Sequence, residues 1–332
     1  MPRKTRSQRE TVREKVYRWT RRTGTNQHLL DVLALLELLA SELYVHYQPF
    51  PEKPPFLDRL ASWLACTPRD VDQRLLFEFV PWLLFVGPRE MDSMYRAAFT
   101  GPIMRWIVEQ SNVSLSQPAF SQSVSDSLKR TYVGSMAGMD IGTFCRVNNI
   151  VGQTYRCDFR ALAEVGSVTA FRDYLRDNNY ERIIAVEDYV GTGSQMSEAV
   201  VFLRQLTSFP VLLCPIIVAN AGNKLGAKIQ RAESHITYSP QFITPSATYI
   251  PKTANKKAPE PQCFRKMRNL LTRLWGIVRG TVPTQPLYSP FGFGDVGSLV
   301  LTFLNCPDNV PPLLHHKSDS WDPLFMRSSR EG

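Results

Sequence analysis

Apolar residues recur three or four positions apart from Leu29 to about Gln110. That spacing places them on one face of an α-helix. Pro81 and the pair Gly101-Pro102 interrupt the pattern, and they are expected to kink or end helices there. The segments that carry the spacing read LLDVLALLELLASELYVHY, FLDRLASWLA, DVDQRLLFEFVPWLLFV and REMDSMYRAAF. The pattern predicts a helical N-terminal unit over residues 29–118.

A different pattern follows the polar stretch that ends near residue 118. Short apolar runs alternate with helical segments, which is the order typical of an α/β layer with a mostly parallel sheet. The apolar runs predict strands at 130–134, 183–187, 211–219, 235–238 and 298–304. The predicted fold class is therefore α/β, with a mostly parallel sheet in residues 119–332 preceded by an all-α N-terminal unit.

The composition agrees with an enzyme-sized globular chain, at 332 residues with 43% hydrophobic and 21% charged residues. The six cysteines are widely spaced and form no Cys-x-x-Cys pair, which argues against a zinc site or a secreted disulfide framework. The first 22 residues hold charges instead of an apolar core, and the uncharged run 206–223 is broken by Pro210 and Pro215. These observations predict a cytoplasmic protein without a membrane segment.

The net charge of +9 is concentrated at the N-terminus. Residues 1–22 hold nine basic residues against two acidic ones, Glu10 and Glu14, which accounts for seven of the nine surplus positive charges. A basic arm over residues 1–28 could follow the phosphates of a nucleic acid through residues 3–22. A solvated basic helix, or a docking peptide for an acidic protein, fits the same charges equally well.

Residues 183–196, IIAVEDYVGTGSQM, combine a buried strand, two carboxylates and a turn with two glycines. Glu187 and Asp188 end the predicted strand, and carboxylates at the carboxyl edge of a sheet can accept hydrogen bonds from a ribose 2′,3′-diol. The turn brings backbone N–H groups and hydroxyls around a phosphate, and the N-terminus of the helix that follows favours an anion. The candidate phosphate-binding residues are Val190, Gly191, Thr192, Gly193, Ser194 and Gln195.

Three other interpretations of this segment were weighed. An acidic strand end before glycines also suggests the methyltransferase motif Asp/Glu-x-Gly-x-Gly-x-Gly, but Tyr189 follows Asp188 and only Gly191 and Gly193 are available. A dinucleotide fingerprint needs a third glycine three residues after Gly193, which is missing. An ordinary tight turn between a buried strand and a helix stays open as an alternative.

The segment resembles the type I phosphoribosyltransferases, in which an apolar strand is followed by Glu/Asp-Asp, two or three residues, Thr-Gly and a further hydroxyl residue. The chain departs from this pattern in three places. Tyr189 replaces an aliphatic residue, Gly191 stands where purine-salvage members carry an acid or a hydroxyl, and Gln195 replaces the last Thr/Ser. The resemblance implies a sheet of phosphoribosyltransferase type that binds phosphoribosyl pyrophosphate or a nucleotide. It also implies that Glu187 and Asp188 hold the ribose hydroxyls, and that Mg²⁺ is carried by the substrate near Asp188.

The same resemblance implies further contacts. A loop after an early strand holds the pyrophosphate in the family, and GSMAGMD at 134–140 is its nearest match, although an ordinary turn is equally compatible. Lys224 lies where some members contact the nucleobase, but a surface lysine is the alternative. The segment 238–262, with Lys252, Lys256 and Lys257, is a candidate flexible hood. The residues matched to the pyrophosphate loop are Gly134, Ser135, Met136 and Gly138.

The helical first unit, the EDYVGTG loop and the C-terminal stretch NCPDNVPPL together resemble a more particular group, the phosphoribosyltransferase-like proteins of bacterial conflict systems, including those associated with retrons. This resemblance spans the chain from about residue 30. It implies an antiphage effector that has a reverse transcriptase or an ATPase as its partner. A non-catalytic sensor of nucleotide or phosphoribosyl pyrophosphate, and a nucleic-acid-binding adaptor in the same kind of complex, are the alternatives.

Overall fold

The computed structural model describes residues 10–23, 27–49, 54–111, 116, 118–153, 155–254, 260–281 and 288–328. The helices are α1 (Val12–Thr23), α2 (Gln27–Glu42), α3 (Phe56–Ala65), α4 (Asp70–Phe79), α5 (Pro88–Ala98), α6 (Met104–Ser111), α7 (Phe120–Lys129), α8 (Ile141–Val147), α9 (Phe159–Val165), α10 (Val168–Asp177), α11 (Ser194–Leu203), α12 (Asn220–Ala232), α13 (Gln262–Arg279) and α14 (Pro312–His315). The strands are β1 (Leu84–Val86), β2 (Thr131–Ser135), β3 (Arg182–Val190), β4 (Val211–Val218), β5 (Ile236–Tyr238), β6 (Phe242–Ile243), β7 (Tyr288–Ser289), β8 (Gly292–Phe293) and β9 (Val300–Thr302).

The chain forms two compact units. One consists of Met1–Pro88 together with Pro245–Gly332 and is called the flanking unit below; the other is Arg89–Thr244 and is called the sheet unit. The predicted boundary near residue 118 was drawn from a change in sequence pattern, whereas the two compact units are defined by contacts in space. The predicted ranges 1–28, 29–118 and 119–332 therefore stay a prediction.

The flanking unit is mostly helical, and α1 contributes to its core. Val12, Val16 and Trp19 are 3% exposed or less, since residues three or four apart share one face of a helix. Truncation of the basic arm through residue 22 would therefore remove core side chains as well as charges. Arg3, Lys4, Arg6 and Arg9 of the predicted nucleic-acid arm lie outside the described residues.

The C-terminal segment is bound into the same core by polar contacts. The indole N–H groups of Trp63 and Trp321 both donate to the carbonyl of Leu313, at 2.7 and 2.8 Å. His315 is buried, and its Nε2 lies 3.1 Å from the carbonyl oxygen of Val310. Burial lowers the pKa of His315 to about 3, so the imidazole is neutral near pH 7 and has a structural role.

Pro81 was predicted to kink or end a helix, and this is confirmed: α4 ends at Phe79, and a short 3₁₀ turn at Val80–Trp82 follows, since proline has no N–H to donate. Two other predictions about this unit are wrong. The helical pattern was extended past Pro81 through WLLFV, but Leu84–Val86 form the strand β1. The predicted strand 298–304 contains β9, but β9 pairs with β1 in a separate two-stranded parallel sheet. An apolar run indicates a buried strand, but it does not indicate which other strand pairs with it.

The sheet unit contains the main sheet, with strand order β2-β3-β4-β5 and with β6 also paired to β4. Every pairing in it is parallel. The predicted α/β class with a mostly parallel sheet after helical segments is confirmed. β3 runs three residues beyond its predicted end at Glu187, and β6 lies in the segment 238–262 that was predicted as a loop.

Helices on both sides of this sheet supply its apolar cover. Tyr132 of β2, Phe159 of α9, Phe171 of α10 and Phe202 of α11 share one cluster. The ring centroid of Phe171 lies 5.3 Å from that of Tyr132, 5.9 Å from that of Phe159 and 5.7 Å from that of Phe202. α5 and α6 are joined by a π-helical segment that contains Gly101-Pro102, so the predicted distortion at this pair is confirmed. Trp106 of α6 then donates to the Thr237 hydroxyl of β5 at 3.2 Å.

Candidate functional site

Glu187 and Asp188 lie within β3, at a point where one neighbouring strand has already ended. β2 stops at Ser135, which pairs with Val186, whereas β3 continues beside β4 as far as Val190. The two carboxylates therefore lie beyond the carboxyl end of β2, at the sheet edge where ligands of parallel α/β sheets bind. Both side chains are buried, each with 3% of its surface exposed. Because adjacent strand residues alternate in direction, they face opposite sides of the sheet.

Glu187 holds the loop that follows β2. Its Oε2 accepts the Ala137 backbone N–H at 2.7 Å and lies 3.5 Å from the Ser135 hydroxyl. The Ser135 hydroxyl in turn accepts the Met139 N–H at 3.0 Å. A carboxylate that accepts backbone N–H groups forms a strong, charge-assisted contact. The sequence assigned Glu187 to a ribose; the structure adds a second task, which is to shape the loop at 136–140.

The residues matched to the pyrophosphate loop differ in what they can offer a ligand. Gly134 lies within β2, and a Cβ there would be 2.8 Å from the Phe159 ring. The Met136 side chain is fully buried in the aromatic cluster, so both residues can contribute only backbone groups. Gly138 is exposed and has φ +85°, a backbone conformation that glycine adopts without strain. The loop is thus a short backbone turn at the surface of the site.

Asp140 ends this loop and begins α8. Its carboxylate accepts the Thr143 hydroxyl at 2.6 Å and the Thr143 backbone N–H at 3.3 Å, the arrangement of a helix N-cap. These hydrogen bonds hold the pKa of Asp140 below its usual range, with the side-chain bond from Thr143 as the largest cause. The carboxylate is therefore ionised near neutral pH and adds negative charge beside the loop.

The candidate phosphate loop, residues 191–193, is fixed by backbone contacts to the start of α12. The carbonyl of Gly191 accepts the Gly222 N–H at 2.9 Å, and that of Val190 accepts the Ala219 N–H at 2.8 Å. A Cβ on Gly222 would be only 2.8 Å from the Gly191 oxygen, so glycine permits this close approach. Gly222 lies between the predicted strand 211–219 and Lys224, in the stretch 220–224 whose position suggested nucleobase contacts. Its contact with the phosphate loop was not predicted.

The loop exposes polar groups where the helix begins. Gly193 has φ +87° and precedes Ser194, the first residue of α11. The Thr192 hydroxyl lies 3.2 Å from the Ser194 hydroxyl, while the side chains of Ser194 and Gln195 are exposed. Hydroxyls and backbone N–H groups at the N-terminus of a ten-residue helix suit a phosphate. Val190 is buried and offers no side chain to a ligand.

The lysines predicted to contact a ligand differ in their ion pairs and in the unit to which they belong. Lys224 is exposed on α12 and forms no ion pair with any residue the structure describes. Lys252 belongs to the flanking unit and pairs with Asp295 at 3.1 Å. Lys256 and Lys257 lie outside the described residues. Lys224 is the one of these that shares a compact unit with the two loops.

Tyr95 is a site residue that the sequence did not reveal. It lies on α5, is 2% exposed and packs edge-on against Phe144 of α8 at 5.5 Å. Burial raises the pKa of the Tyr95 phenol, and the nearby charges of Asp188, Asp140 and Glu187 raise it further. The phenol is therefore neutral near pH 7. Tyr95 lies in an amphipathic helical pattern, which predicts only that its side chain packs in the core.

The C-terminal stretch NCPDNVPPL contributes to the flanking unit rather than to these loops. The Asn305 side chain donates to the Ser328 carbonyl at 2.8 Å and accepts the Ser328 N–H at 3.2 Å. The Asn309 amide donates to the Phe293 carbonyl at 3.0 Å. These contacts bind the end of the chain to the preceding hairpin.

The described residues contain no group of three or more His, Cys, Asp or Glu side chains placed to hold a metal ion. Carboxylate oxygens such as those of Asp188 and Asp140 are the donor type that Mg²⁺ takes, and Mg²⁺ commonly uses one or two carboxylates together with substrate phosphates. The donor set therefore fits an ion that arrives with a phosphorylated ligand. None of the helices in the described ranges is both long and apolar enough to cross a bilayer.

A parallel α/β sheet with two short loops and two carboxylates at one edge is an arrangement in which such sheets bind ligands. The PRTase-CE family model matches residues 60–327. The chain therefore belongs to the PRTase-CE family, a phosphoribosyltransferase-like family. No curated protein and no solved structure matches the chain.

Proposed function

We propose that the protein is a phosphoribosyltransferase-like effector that binds phosphoribosyl pyrophosphate or a nucleotide together with Mg²⁺. The observation that carries this proposal is the pairing of β2 with β3, which brings the loop at 136–140 and the loop at 191–193 to one sheet edge. The loop at 191–193 leads into the N-terminus of a helix, which favours an anion. In the loop at 136–140 the N–H groups of Met136, Ala137 and Met139 are bonded within the protein, so the exposed Gly138 is the position whose backbone can meet a ligand. A ligand with a sugar between two phosphate groups matches that order.

In this proposal each part of the site binds one part of the ligand. The N-terminus of α11 and the hydroxyls of Thr192 and Ser194 hold the 5′-phosphate. Asp188 accepts hydrogen bonds from the ribose hydroxyls, and the backbone at the exposed Gly138 contacts the pyrophosphate. Bound Mg²⁺ would neutralise phosphate charge beside Asp188. The neutral Tyr95 phenol supplies a donor among the carboxylates.

The proposed transfer needs no covalent nucleophile from the protein. A ring nitrogen of the acceptor base attacks C1′ while the bond from C1′ to the pyrophosphate oxygen breaks, and the electron pair leaves with the pyrophosphate. Positive charge develops on the ribose, and nearby carboxylates stabilise it. Holding the two reactants in line supplies much of the remaining rate.

The experiment is titration calorimetry with phosphoribosyl pyrophosphate and Mg²⁺, followed by pyrophosphate release with mixed nucleobases. Asp188→Asn keeps the size of the side chain but removes its charge, and we expect its affinity for the ligand to fall at least tenfold. Asp177→Asn, an exposed carboxylate at the end of α10, is the matched control and should bind like the wild type. Equal binding by wild type and Asp188→Asn would contradict the site assignment.

A second candidate function is a non-catalytic sensor of the same ligand. It is favoured by Gly191, which supplies no acid or hydroxyl at the position where purine-salvage enzymes carry one. A ligand-induced rise in unfolding temperature without turnover would support the sensor, and pyrophosphate release would support the enzyme.

The antiphage role rests on the resemblance to conflict-system proteins and is part of the proposal. Phage plating on cells that carry the chain in its native gene neighbourhood tests it, with Asp188→Asn and Asp177→Asn compared. We expect protection to be lost only in Asp188→Asn. Co-purification from the same cells would show whether a reverse transcriptase or an ATPase is bound. Full protection by Asp188→Asn would separate defence from ligand binding.

A further inference from the structure

α13 in the flanking unit is a long, strongly basic helix that the proposed function leaves without a role. Its 18 residues include no carboxylate. Its basic residues are Arg265, Lys266, Arg268, Arg273 and Arg279.

Two of the five cations are held by acidic partners. Arg268 donates to Glu260 at 3.2 Å and to the carbonyl of Pro251 at 2.7 Å. Arg273 forms two bonds of 2.7 Å to Asp72. The Asp72 side chain is only 5% exposed, whereas that of Arg273 is 45% exposed. This ion pair therefore turns its guanidinium towards solvent and buries its negative charge.

The other three cations, Arg265, Lys266 and Arg279, are exposed and form no ion pair with any other residue in the described ranges. Arg265 and Arg279 lie fourteen positions apart, so a rise of 1.5 Å per residue separates them by about 21 Å along the helix. Asn269, Thr272 and Gly276 are exposed between them. At 100° per residue these positions share one face, so the face has a cation at each end and three small residues between them. Lys266 lies at the side of this face, about 100° from Arg265.

The apolar face of α13 is already used. Met267, Leu270, Leu271, Leu274 and Val278 are each 2% exposed or less and belong to the core of the flanking unit. A membrane-surface helix needs its apolar face free to enter the lipid, which excludes that use of α13. The exposed face offers charge and hydrogen-bond donors only.

The open space over Gly276 also indicates which kind of partner this face of α13 can bind. Apart from the neighbouring residues and backbone of α13 itself, no atom of the described residues lies within 4 Å of the position that a Cβ on Gly276 would occupy. A flat, basic face of this kind lets a polymer backbone come close, and Asn and Thr side chains and backbone groups commonly bond phosphate oxygens. About 21 Å corresponds to roughly six phosphates of one DNA strand at 3.4 Å each.

We propose that the exposed face of α13 binds the phosphate backbone of a nucleic acid. α1, which is also basic, is less available, because Arg13 pairs with Glu37 at 2.6 Å and Arg18 pairs with Glu10 at 2.8 Å. Binding by α13 is electrostatic, independent of base sequence and strongly dependent on salt.

Fluorescence anisotropy with a labelled 20-nucleotide single strand and the matching duplex, over a range of salt concentrations, tests the proposal. The variant Arg265→Gln/Lys266→Gln/Arg279→Gln removes the three unpaired charges. We expect at least a tenfold loss of affinity and a salt slope shallower by about 2 for the single strand, since each lost contact removes about 0.7. Thermal unfolding should be unchanged, because these side chains are exposed.

A variant of the sheet unit with the same loss of charge, Arg204→Gln/Lys228→Gln/Arg231→Gln, is the matched control. These residues are also exposed, and their loss should leave nucleic-acid binding unchanged. Equal losses in the two variants would show an effect of net charge alone and would overturn the proposal. Wild-type protein that binds no nucleic acid, or that binds polyglutamate as tightly, would also overturn it, the latter in favour of an acidic protein partner.

Discussion

The two loops at the sheet edge are stabilised in different ways. The loop at 136–140 is held by side chains, with Glu187 accepting the Ala137 N–H and Ser135 accepting the Met139 N–H. The loop at 191–193 is held by backbone contacts to α12 that depend on Gly222. The first loop therefore depends on the presence of a carboxylate, and the second depends on the absence of a side chain.

The largest effect is expected from Gly222→Val, which tests the second loop. The new Cβ would lie 2.8 Å from both the Gly191 oxygen and the Val190 Cγ1. Overpacking of this kind costs about 1–3 kcal/mol of stability, and displacement of the loop should reduce affinity for phosphoribosyl pyrophosphate at least tenfold. Thermal unfolding and calorimetry measure the two changes.

Gly276→Ala in α13 is the control for that variant. Its Cβ would meet nothing within 4 Å, so we expect a gain of about 0.5–1 kcal/mol from the lower backbone entropy of the unfolded chain. Ligand affinity should not change. A Gly222→Val protein that is as stable as the wild type and binds equally well would refute the account of the second loop.

A smaller effect is expected from Glu187→Ala, which tests the first loop. It leaves the buried N–H of Ala137 without its carboxylate, and an unsatisfied buried donor costs about 1–3 kcal/mol. Glu187→Gln keeps an acceptor oxygen and should lose less. Urea unfolding of both variants measures the difference. Equal losses would show that charge, rather than the hydrogen bond, holds the loop; no loss in Glu187→Ala would contradict the role given to this residue.

The smallest effect is expected from Asp140→Ala, which tests the cap at the end of the first loop. Because the folded-state pKa of Asp140 is lowered, its contribution is present above the ordinary aspartate pKa of about 4 and is lost as pH falls through the folded-state pKa. Loss of an N-cap costs about 1 kcal/mol near pH 7. Urea unfolding at pH 7 and pH 3 measures the free energy of unfolding of wild type and variant. The difference between the two free energies should be smaller at pH 3 than at pH 7. Asp177→Ala is the control. A difference in unfolding free energy between wild type and Asp140→Ala that is the same at both pH values would refute the link between stability and the ionisation of Asp140.

The candidate site was partly predictable because its second loop is local. Buried strand, carboxylates, glycines and helix start follow one another within residues 183–196, so their spacing alone indicated a phosphate site. Gly222 and Tyr95 are 34 and 93 residues from Asp188 along the chain. Nothing in the local pattern of Tyr95 linked it to the site, and nothing around Gly222 indicated that it contacts the phosphate loop. The contact of Glu187 with Ala137 likewise joins residues 50 positions apart.

The sequence by itself determined the local elements: the amphipathic helices, the buried parallel strands, the breaks at Pro81 and Gly101-Pro102, and the glycine turn before α11. Periodicity and backbone preference encode these features within a few residues. Only the tertiary structure decided that β9 pairs with β1, that α5 and α6 belong with the main sheet, and that Glu187 shapes the neighbouring loop. The pairing of strands and the packing of helices depend on contacts between residues far apart along the chain. An apolar face in the sequence indicates burial, but it does not specify which surface covers that face.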